Sequence, residues 1–391
     1  MCRDWGAVFG VADANDLFEH FERGRYRGRE YRYLPDARHG VERGTAVLGE
    51  SVVRGFPSIP CVLVLDPGVA EFFDGPVTVE EKLNGYNVRV ADISGGDRAA
   101  PPDGSGNDDE RGEWADLDPL AFTRSGRVCR YTTEVVREQC DLDPFFADHP
   151  DLMVCGELVG PENPYTAHDY DDVDSVAFRV FDLRDRETGD PLPVERRRGL
   201  CTDYGFEQVR SFGTDDPETA VDAVAAAVDE LDERGREGVV LAAADGERRL
   251  KYTTSAIHRS DLAHAFALPF DYAREFLFSR VIRKVFQAVE CDESPAATRE
   301  RARRLGEAIL LPAVETVRAV DRGEVVGEEH VVRGDPAVLD ALLAQFRDQG
   351  LNVHVRADRR EGDERVVEFV KRASATRDKT AHYLSGGTVD E

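Results

Sequence analysis

Only five of the chain's 50 basic residues are lysines: Lys82, Lys251, Lys284, Lys371 and Lys379. Arginine is effectively always protonated and cannot act as an amine nucleophile, whereas a lysine tuned down in pKa can. Lys82 lies in Glu80-Glu81-Lys82-Leu83-Asn84-Gly85-Tyr86-Asn87-Val88-Arg89. Gly85 marks a bend or a close approach, for which a residue without Cβ is cheapest. The amine is therefore carried at a strand end beside a glycine. A solvated lysine on a surface hairpin is the plainer reading of Lys-x-x-Gly alone. Two glutamates also adjoin glycines: Glu157 in Gly156-Glu157-Leu158, and Glu237 in Glu237-Gly238-Val239-Val240. Singly, Glu157 reads better as a strand-end surface charge than as a carboxylate aimed into a cleft. Phe181-Asp182 and Leu250-Lys251 complete the series. Taken in order, these residues meet the needs of a nucleoside triphosphate site. They offer a lysine nucleophile, carboxylates for metal, an aromatic for the base and a second cation for phosphate.

Strands must hold these side chains. Val77-Thr78-Val79 leads into Lys82, and beyond the glycine Tyr86, Val88 and Val90 alternate with Asn87 and Arg89. An apolar strand at 152–155 runs into Glu157. Over 175–183, Val176, Phe178 and Val180 share one face and Ala177, Arg179 and Phe181 the other, so Phe181 need not join the Phe178 core. A helix over 216–234 precedes a strand at 237–241. Asp245-Gly246 then makes a hairpin whose returning strand, 248–252, brings Glu237 and Lys251 onto paired strands.

The organisation predicted around them is an N-terminal α+β domain (1–68) closing at Asp66-Pro67-Gly68, a catalytic domain (69–255), a helical domain (256–325) and a C-terminal α/β domain (326–391). In the last, a helix over 336–349, a strand over 351–355 and a helix from about Arg365 are expected. The Gly-, Asp- and Pro-rich stretch from Ser94 to Pro119 reads as an exposed loop, and the tail from Ser385 as frayed. The apolar helix 270–290 has more apolar surface than solvent exposure needs, which predicts packing against a partner subunit through Phe276 or Leu277; Lys284 is expected at a core edge. Arg23 to Arg32 interleaves arginine with tyrosine, a pattern that suits phosphate contact and base stacking as well as a solvated strand.

The formal charge is −27, spread along the chain. Acidity with arginine in place of lysine predicts a salt-rich cytoplasm; the alternative is an acidic protein with a basic partner. Such charge opposes nucleic-acid binding driven by counterion release. In ~1 M salt, however, the Debye length is about 3 Å and local contacts decide. Seven cysteines without a Cys-x-x-Cys pair argue against disulfides and zinc. With no signal peptide and no apolar run near ~18 residues, a cytoplasmic protein without a membrane span is expected.

The motif order resembles that of covalent nucleotidyltransferases, the ATP-dependent DNA and RNA ligases and mRNA capping enzymes. More closely, Glu-Glu-Lys-x-Asn-Gly-Tyr-Asn-Val-Arg (80–89), Gly-Glu-Leu-Val-Gly-Pro-Glu-Asn-Pro-Tyr (156–165) and Leu-Lys-Tyr-Thr-Thr (250–254) look like the archaeal homodimeric ATP-dependent RNA ligases. The resemblance implies an α+β fold with ATP-grasp-like antiparallel sheets and a helical dimerisation domain. It implies that Lys82 attacks ATP to form lysyl-AMP, that AMP passes to an RNA 5′-phosphate, and that a 3′-hydroxyl then displaces it. It makes Lys251 the α-phosphate cation, Glu157 and Glu237 ligands for Mg²⁺ (or Mn²⁺) and ribose, and Phe181 the base-stacking ring. Glu80 would read the adenine amino group, and Arg89 would contact phosphate or ribose. Asn84 and Gly85 fall within the nucleotide site, while Arg124, Arg23 and Arg25 are candidate RNA contacts. Two departures stand out. Asn84 replaces the commoner Asp, and Arg248 or Arg249 replaces the first lysine of the last motif. A P-loop fails, because no lysine here follows glycine. A DNA ligase or capping enzyme would continue into an OB-fold, which the helices after Ser255 do not resemble. A non-catalytic nucleotide- or RNA-binding relative would have no need of both Lys82 and Lys251.

Overall fold

A computed structural model describes residues 3–94, 119–264 and 270–388; the loop expected over 95–118 lies outside the described residues. In chain order the elements are α1 (Trp5–Phe9), α2 (Ala14–Phe18), β1 (Glu22–Tyr26), β2 (Arg29–Tyr33), β3 (Ala46–Leu48), β4 (Ser51–Val53), α3 (Leu65–Phe72), β5 (Val77–Lys82), β6 (Tyr86–Ala91) and β7 (Leu120–Thr123). Then come α4 (Arg130–Gln139), α5 (Leu142–Asp148), β8 (Leu152–Val159), β9 (Ala177–Asp185), α6 (Val194–Asp203), β10 (Ser211–Asp215), α7 (Pro217–Glu233), β11 (Gly238–Ala243) and β12 (Arg249–Thr253). The remainder is α8 (Ser255–His264), α9 (Phe270–Glu290), α10 (Pro295–Asp321), β13 (Gly327–Gly334), α11 (Pro336–Asp348), β14 (Val353–Glu361), β15 (Glu364–Arg372) and α12 (Ser374–Leu384). The chain groups into two units, residues 1–59, 85–209 and 244–248 in one and residues 60–84, 210–243 and 249–391 in the other. Strand pairing is antiparallel throughout the named strands.

The first unit contains two four-stranded sheets, β1-β2-β3-β4 and β7-β6-β8-β9. Alternation along β1 and β2 buries Tyr26, Tyr31 and Tyr33 and leaves Arg23, Arg25 and Arg32 exposed. The tyrosines share a core with Phe56 and with Ala91, Phe122, Met153 and Cys155 of the second sheet.

In the second unit the sheet order is β10-β5-β11-β12. Val77 and Val79 of β5, Val239 and Leu241 of β11, and Leu250 and Tyr252 of β12 pack with Ala220, Val224, Ala227 and Leu231 of α7. That helical spacing is an apolar stripe facing the sheet, and each such aliphatic side chain contributes about 1.5–3 kcal/mol on full burial. Period-2 alternation then dictates that Thr78, Glu80 and Lys82 occupy the opposite face.

The helix expected from about Arg365 is instead the strand β15, with α12 starting at Ser374. Val366, Val367, Phe369 and Val370 are spaced as on a helix face. They lie, however, on the central strand of a β13-β15-β14 sheet and are all buried. A strand covered on both faces loses its alternation, and its valines favour the extended backbone.

Among the described side chains, the large exposed apolar residues are Phe278, Val285, Phe286 and Val289 on α9, and Leu310, Leu311 and Val314 on α10. Phe276 and Leu277 are half-buried, and the Arg280 guanidinium covers the Phe276 ring at 3.8 Å. No helix of the described residues is long and apolar enough to cross a membrane.

Lys284 is 3 % exposed, deeper than a core-edge position. Its Nζ donates to the Ser255 carbonyl at 2.6 Å and to the Ser255 hydroxyl. Burial, and then the nearby Arg301, push its pKa down to about 7. Between that value and the usual ~10.4 the unfolded chain binds more protons than the folded one, so stability rises with pH. Lys284→Met removes this dependence. Relative to wild type, the variant should gain about 2–4 kcal/mol more at pH 7 than at pH 10. Denaturant unfolding at both pH values measures this, and a difference that does not change with pH would contradict it.

Candidate active site

Register builds the lysine cluster. Lys82, the last residue of β5, lies opposite Gly238 of β11, and Gly238 lies opposite Thr253 of β12. Two residues along, Val240 lies between Glu80 and Lys251. Directly opposed residues of antiparallel strands point the same way, so Glu80, Lys82 and Lys251 share the face that α7 does not cover. The strands β5 and β12 are roughly 10 Å apart across β11, within reach of two long amines directed at one ligand. Glu237, immediately before β11, closes the group: its carboxylate pairs with Lys82 Nζ at 2.6 Å, and both side chains are largely buried. Glu80 is buried as well.

Lys251 is pinned through its backbone. Its N–H donates to the Pro60 carbonyl at 2.9 Å, and its carbonyl accepts from Val62 N–H at 3.0 Å. The apolar run at 61–65, grouped with the N-terminal domain from sequence, thus braces the last strand of this sheet. Burial first, and the Lys82 charge second, lower the Lys251 pKa, with Cys61 and Glu237 opposing. Strand parity also distinguishes the two arginines. Arg249 lies two residues before Lys251 on β12, hence on the same face, and is buried, whereas Arg248 precedes the strand and is exposed.

The other candidates belong to the first unit. Glu157 of β8 lies opposite Asn87 of β6 and Arg179 of β9. A register shift between Cys155 and Gly156 places Val180 opposite Gly156 and Asp182 opposite Cys155, leaving Phe181 without a direct partner. Such a bulge re-aims a side chain, and Phe181 meets Phe56 edge to face at 5.1 Å. Gly85 is required by close approach, since a Cβ there would stand 2.3 Å from the Leu158 carbonyl oxygen. Arg124 donates to the Phe56 carbonyl at 2.8 Å. Burial and then Arg43 lower its pKa, while Glu157 raises it. Arg43 went unnoticed in the sequence because nothing marks it among the surrounding arginines.

Arg89 is fully buried. Its guanidinium donates to the carbonyls of Gly44 at 3.0 Å, Thr123 at 2.7 Å and Arg54. The structure therefore shows it bracing backbone from two other segments. Arg23 and Arg25 lie exposed on β1, with Glu30 3.9 Å and 3.1 Å away respectively. Among the described residues no group of three or more His, Cys, Asp or Glu side chains could hold a metal ion. This donor set does not suit an all-protein cage. It does suit Mg²⁺, which binds through one or two carboxylates together with substrate phosphates.

Comparison with known proteins gives the following. Residues 75–253 match the family model for RNA ligase, and residues 264–387 that for the C-terminal region of the ligase Pab1020. An uncharacterised protein of Methanocaldococcus jannaschii is 33 % identical over 389 residues, covering 95 % of this chain and 93 % of that one. Two structures of an archaeal ATP-dependent RNA ligase are 37 % and 38 % identical, each covering 98 % of both chains with a TM-score of 0.86. A candidate ATP-dependent DNA ligase of Aquifex aeolicus is 26 % identical, covering 96 % of this chain and 98 % of that one with a TM-score of 0.82.

Gly238 is the hinge of the lysine register. Its φ is +145°, and a Cβ there would stand 2.2 Å from the Tyr252 carbonyl oxygen. Gly238→Ala should cost about 1–3 kcal/mol and should shift β12 relative to β5. Thermal unfolding reads the first effect. An unaltered melting temperature would show that the sheet tolerates the methyl and that the register does not depend on this glycine.

Proposed function

The chain belongs to the RNA ligase family, and from that premise we propose that it is an ATP-dependent RNA ligase joining 5′-phosphate and 3′-hydroxyl RNA ends. The observation that carries this reading is the grouping of Lys82, Glu237 and Lys251 on one sheet face. It occurs in a chain similar over almost its full length to an archaeal ATP-dependent RNA ligase.

Lys82 is the nucleophile. An ammonium held by a carboxylate has no lone pair to give, so the contact with Glu237 must open and a proton must leave Nζ before attack. The amine then forms a bond to the α-phosphorus of ATP, the bond from that phosphorus to the bridging oxygen breaks, and pyrophosphate departs with the electron pair. An oxygen of the RNA 5′-phosphate next takes the adenylyl group, breaking the P–N bond and restoring the amine. The 3′-hydroxyl finally attacks the activated 5′-phosphorus and AMP leaves. Lys251, helped by Arg249 in the place of the missing lysine, stabilises charge developing on the α-phosphate. Glu80, Asn84, Gly85, Arg89, Glu157 and Phe181 complete the nucleotide site, Glu80 with the adenine amino group and Phe181 with the base. Arg124, Arg23 and Arg25 contact RNA. When bound, Mg²⁺ held by Glu157 and Glu237 would offset phosphate charge.

The protein works in a salt-rich cytoplasm, joins single-stranded RNA ends or closes them into circles, and assembles as a homodimer in which residues 256–325 form the interface domain. The stripe Phe278, Val285 and Val289 supports the last point: exposed apolar residues 7 and 4 apart follow one helix face. The similarity to a candidate DNA ligase supports a second reading, sealing of nicked DNA.

With labelled ATP, wild-type protein should become labelled and should then join 5′-phosphorylated single-stranded RNA in preference to nicked duplex DNA. Equal or better sealing of the nick in multi-molar salt would transfer the assignment to DNA. Lys82→Arg should abolish labelling. Lys251→Arg should retain part of it, while Lys251→Ala should lose about 10²–10³ in single-turnover rate. Label on the Lys82→Arg protein would remove Lys82 from the role. Phe278→Glu with Val289→Glu should convert a dimer to a monomer in analytical ultracentrifugation, and a wild-type monomer at micromolar concentration would end the dimer proposal.

A further inference from the structure

The exposed face of β1 and β2, together with α1 and α2, lines a groove of about 490 Å³. Its walls include Trp5, Asn15, Phe18, Arg23, Glu30 and Arg32. This volume falls within the ~300–1,000 Å³ typical of small-ligand sites. Arg23 and Arg32 lie directly opposite each other in the strand pair, an arrangement of like charges that destabilises a sheet. Glu30 only partly relieves it, because its nearer partner is Arg25 at 3.1 Å, with Arg23 at 3.9 Å. Arg32 is exposed and lies over the Phe18 ring at 5.2 Å. No hydrogen bond or ion pair joins it to a carboxylate among the described residues, although the chain has 77 acidic residues.

We propose that this groove binds an unpaired nucleotide of single-stranded RNA, with Arg23 and Arg32 on its phosphates and its base stacked on the Arg32 guanidinium that Phe18 backs. The proposal rests on the RNA ligase reading above and adds a second, non-catalytic RNA site. Its chemistry is specific. The planar guanidinium fork pairs with phosphate oxygens, and unstacked bases settle on arginine and aromatic planes. Arg25 extends the cationic row along β1, the direction a polymer backbone needs and a free mononucleotide does not.

Trp5 provides the probe. Trp114→Phe leaves Trp5 as the sole tryptophan, and its fluorescence is followed while 5′-phosphorylated single-stranded RNA is added. Affinity is measured across a salt series for this protein and for its Arg23→Ala/Arg32→Ala and Arg23→Lys/Arg32→Lys derivatives, with adenylylation by ATP alone as the control. RNA should change the Trp5 signal. The alanine pair should weaken RNA binding about tenfold and flatten the salt slope by roughly one unit, and an Arg32→Ala single variant should keep adenylylation by ATP alone within twofold. The lysine pair should recover the salt slope but not the full affinity. Unchanged affinity in the alanine pair, or a Trp5 signal indifferent to saturating RNA, overturns the groove while leaving ligase activity standing. Absence of RNA binding by the parent protein overturns the RNA reading itself, and the groove with it.

Discussion

The chemistry proposed for this protein depends on one strand register. Gly238 is the only residue type that fits between Lys82 and Thr253 with the Tyr252 carbonyl so close, and its fit sets β5, β11 and β12 in line. Once that line is set, alternation does the rest. Valines and leucines go to α7, and the lysines go to the face that α7 does not cover. A slip of one residue would exchange the two sets, burying amines against α7 and exposing the core. The stability of the sheet and the placement of its reactive groups are thus one requirement, enforced by the apolar face.

A second theme is the contrast between an acidic exterior and cations held inside. Arg89, Arg249 and Lys284 are all buried, and Lys251 is partly so. Taking a cation out of water costs more than it returns unless its donors are satisfied. Arg89 offsets most of that cost with three backbone carbonyls, although its Nε has no hydrogen-bond partner, and Lys284 does so with Ser255. These interactions are insensitive to the screening that weakens surface pairs, whereas the dense Arg–Glu pairs of α10, among them Arg303–Glu300 and Arg304–Glu300, lie in solvent where salt acts on them.

Much of this was legible in the residues. Asp245-Gly246 announced the hairpin that carries Lys251, and the apolar spacing announced α7, α9, α10 and α11. Alternation alone separates Phe181 from Phe178. What stayed hidden was decided by distant partners. The burial of Arg89 could not be foreseen, because its three carbonyl acceptors come from segments 34 to 45 residues away. β15 looks helical because a central strand needs no polar face. Arg248 and Arg249 were indistinguishable until the strand start was known. The sequence points to Phe276 and Leu277 on α9, which are half-buried, whereas Phe278 beside them is exposed, a difference set by the turn of the helix against its surroundings. Residues 60–68 read as part of the N-terminal domain, yet they fall with residues 69–84 in a unit completed by residues 210–243 and 249–391, a grouping that local pattern cannot reveal.

The central claim is that one lysine of five forms a covalent bond to AMP. The direct measurement is to incubate the protein with ATP and a divalent metal, digest it under alkaline conditions that preserve phosphoramidates, and map the adduct by mass spectrometry. The account predicts a single AMP on the peptide containing Lys82, lost on mild acid treatment and discharged from the intact protein by 5′-phosphorylated RNA. An adduct on Lys251, Lys284, Lys371 or Lys379, or a fully active ligase with no adduct at all, would contradict it.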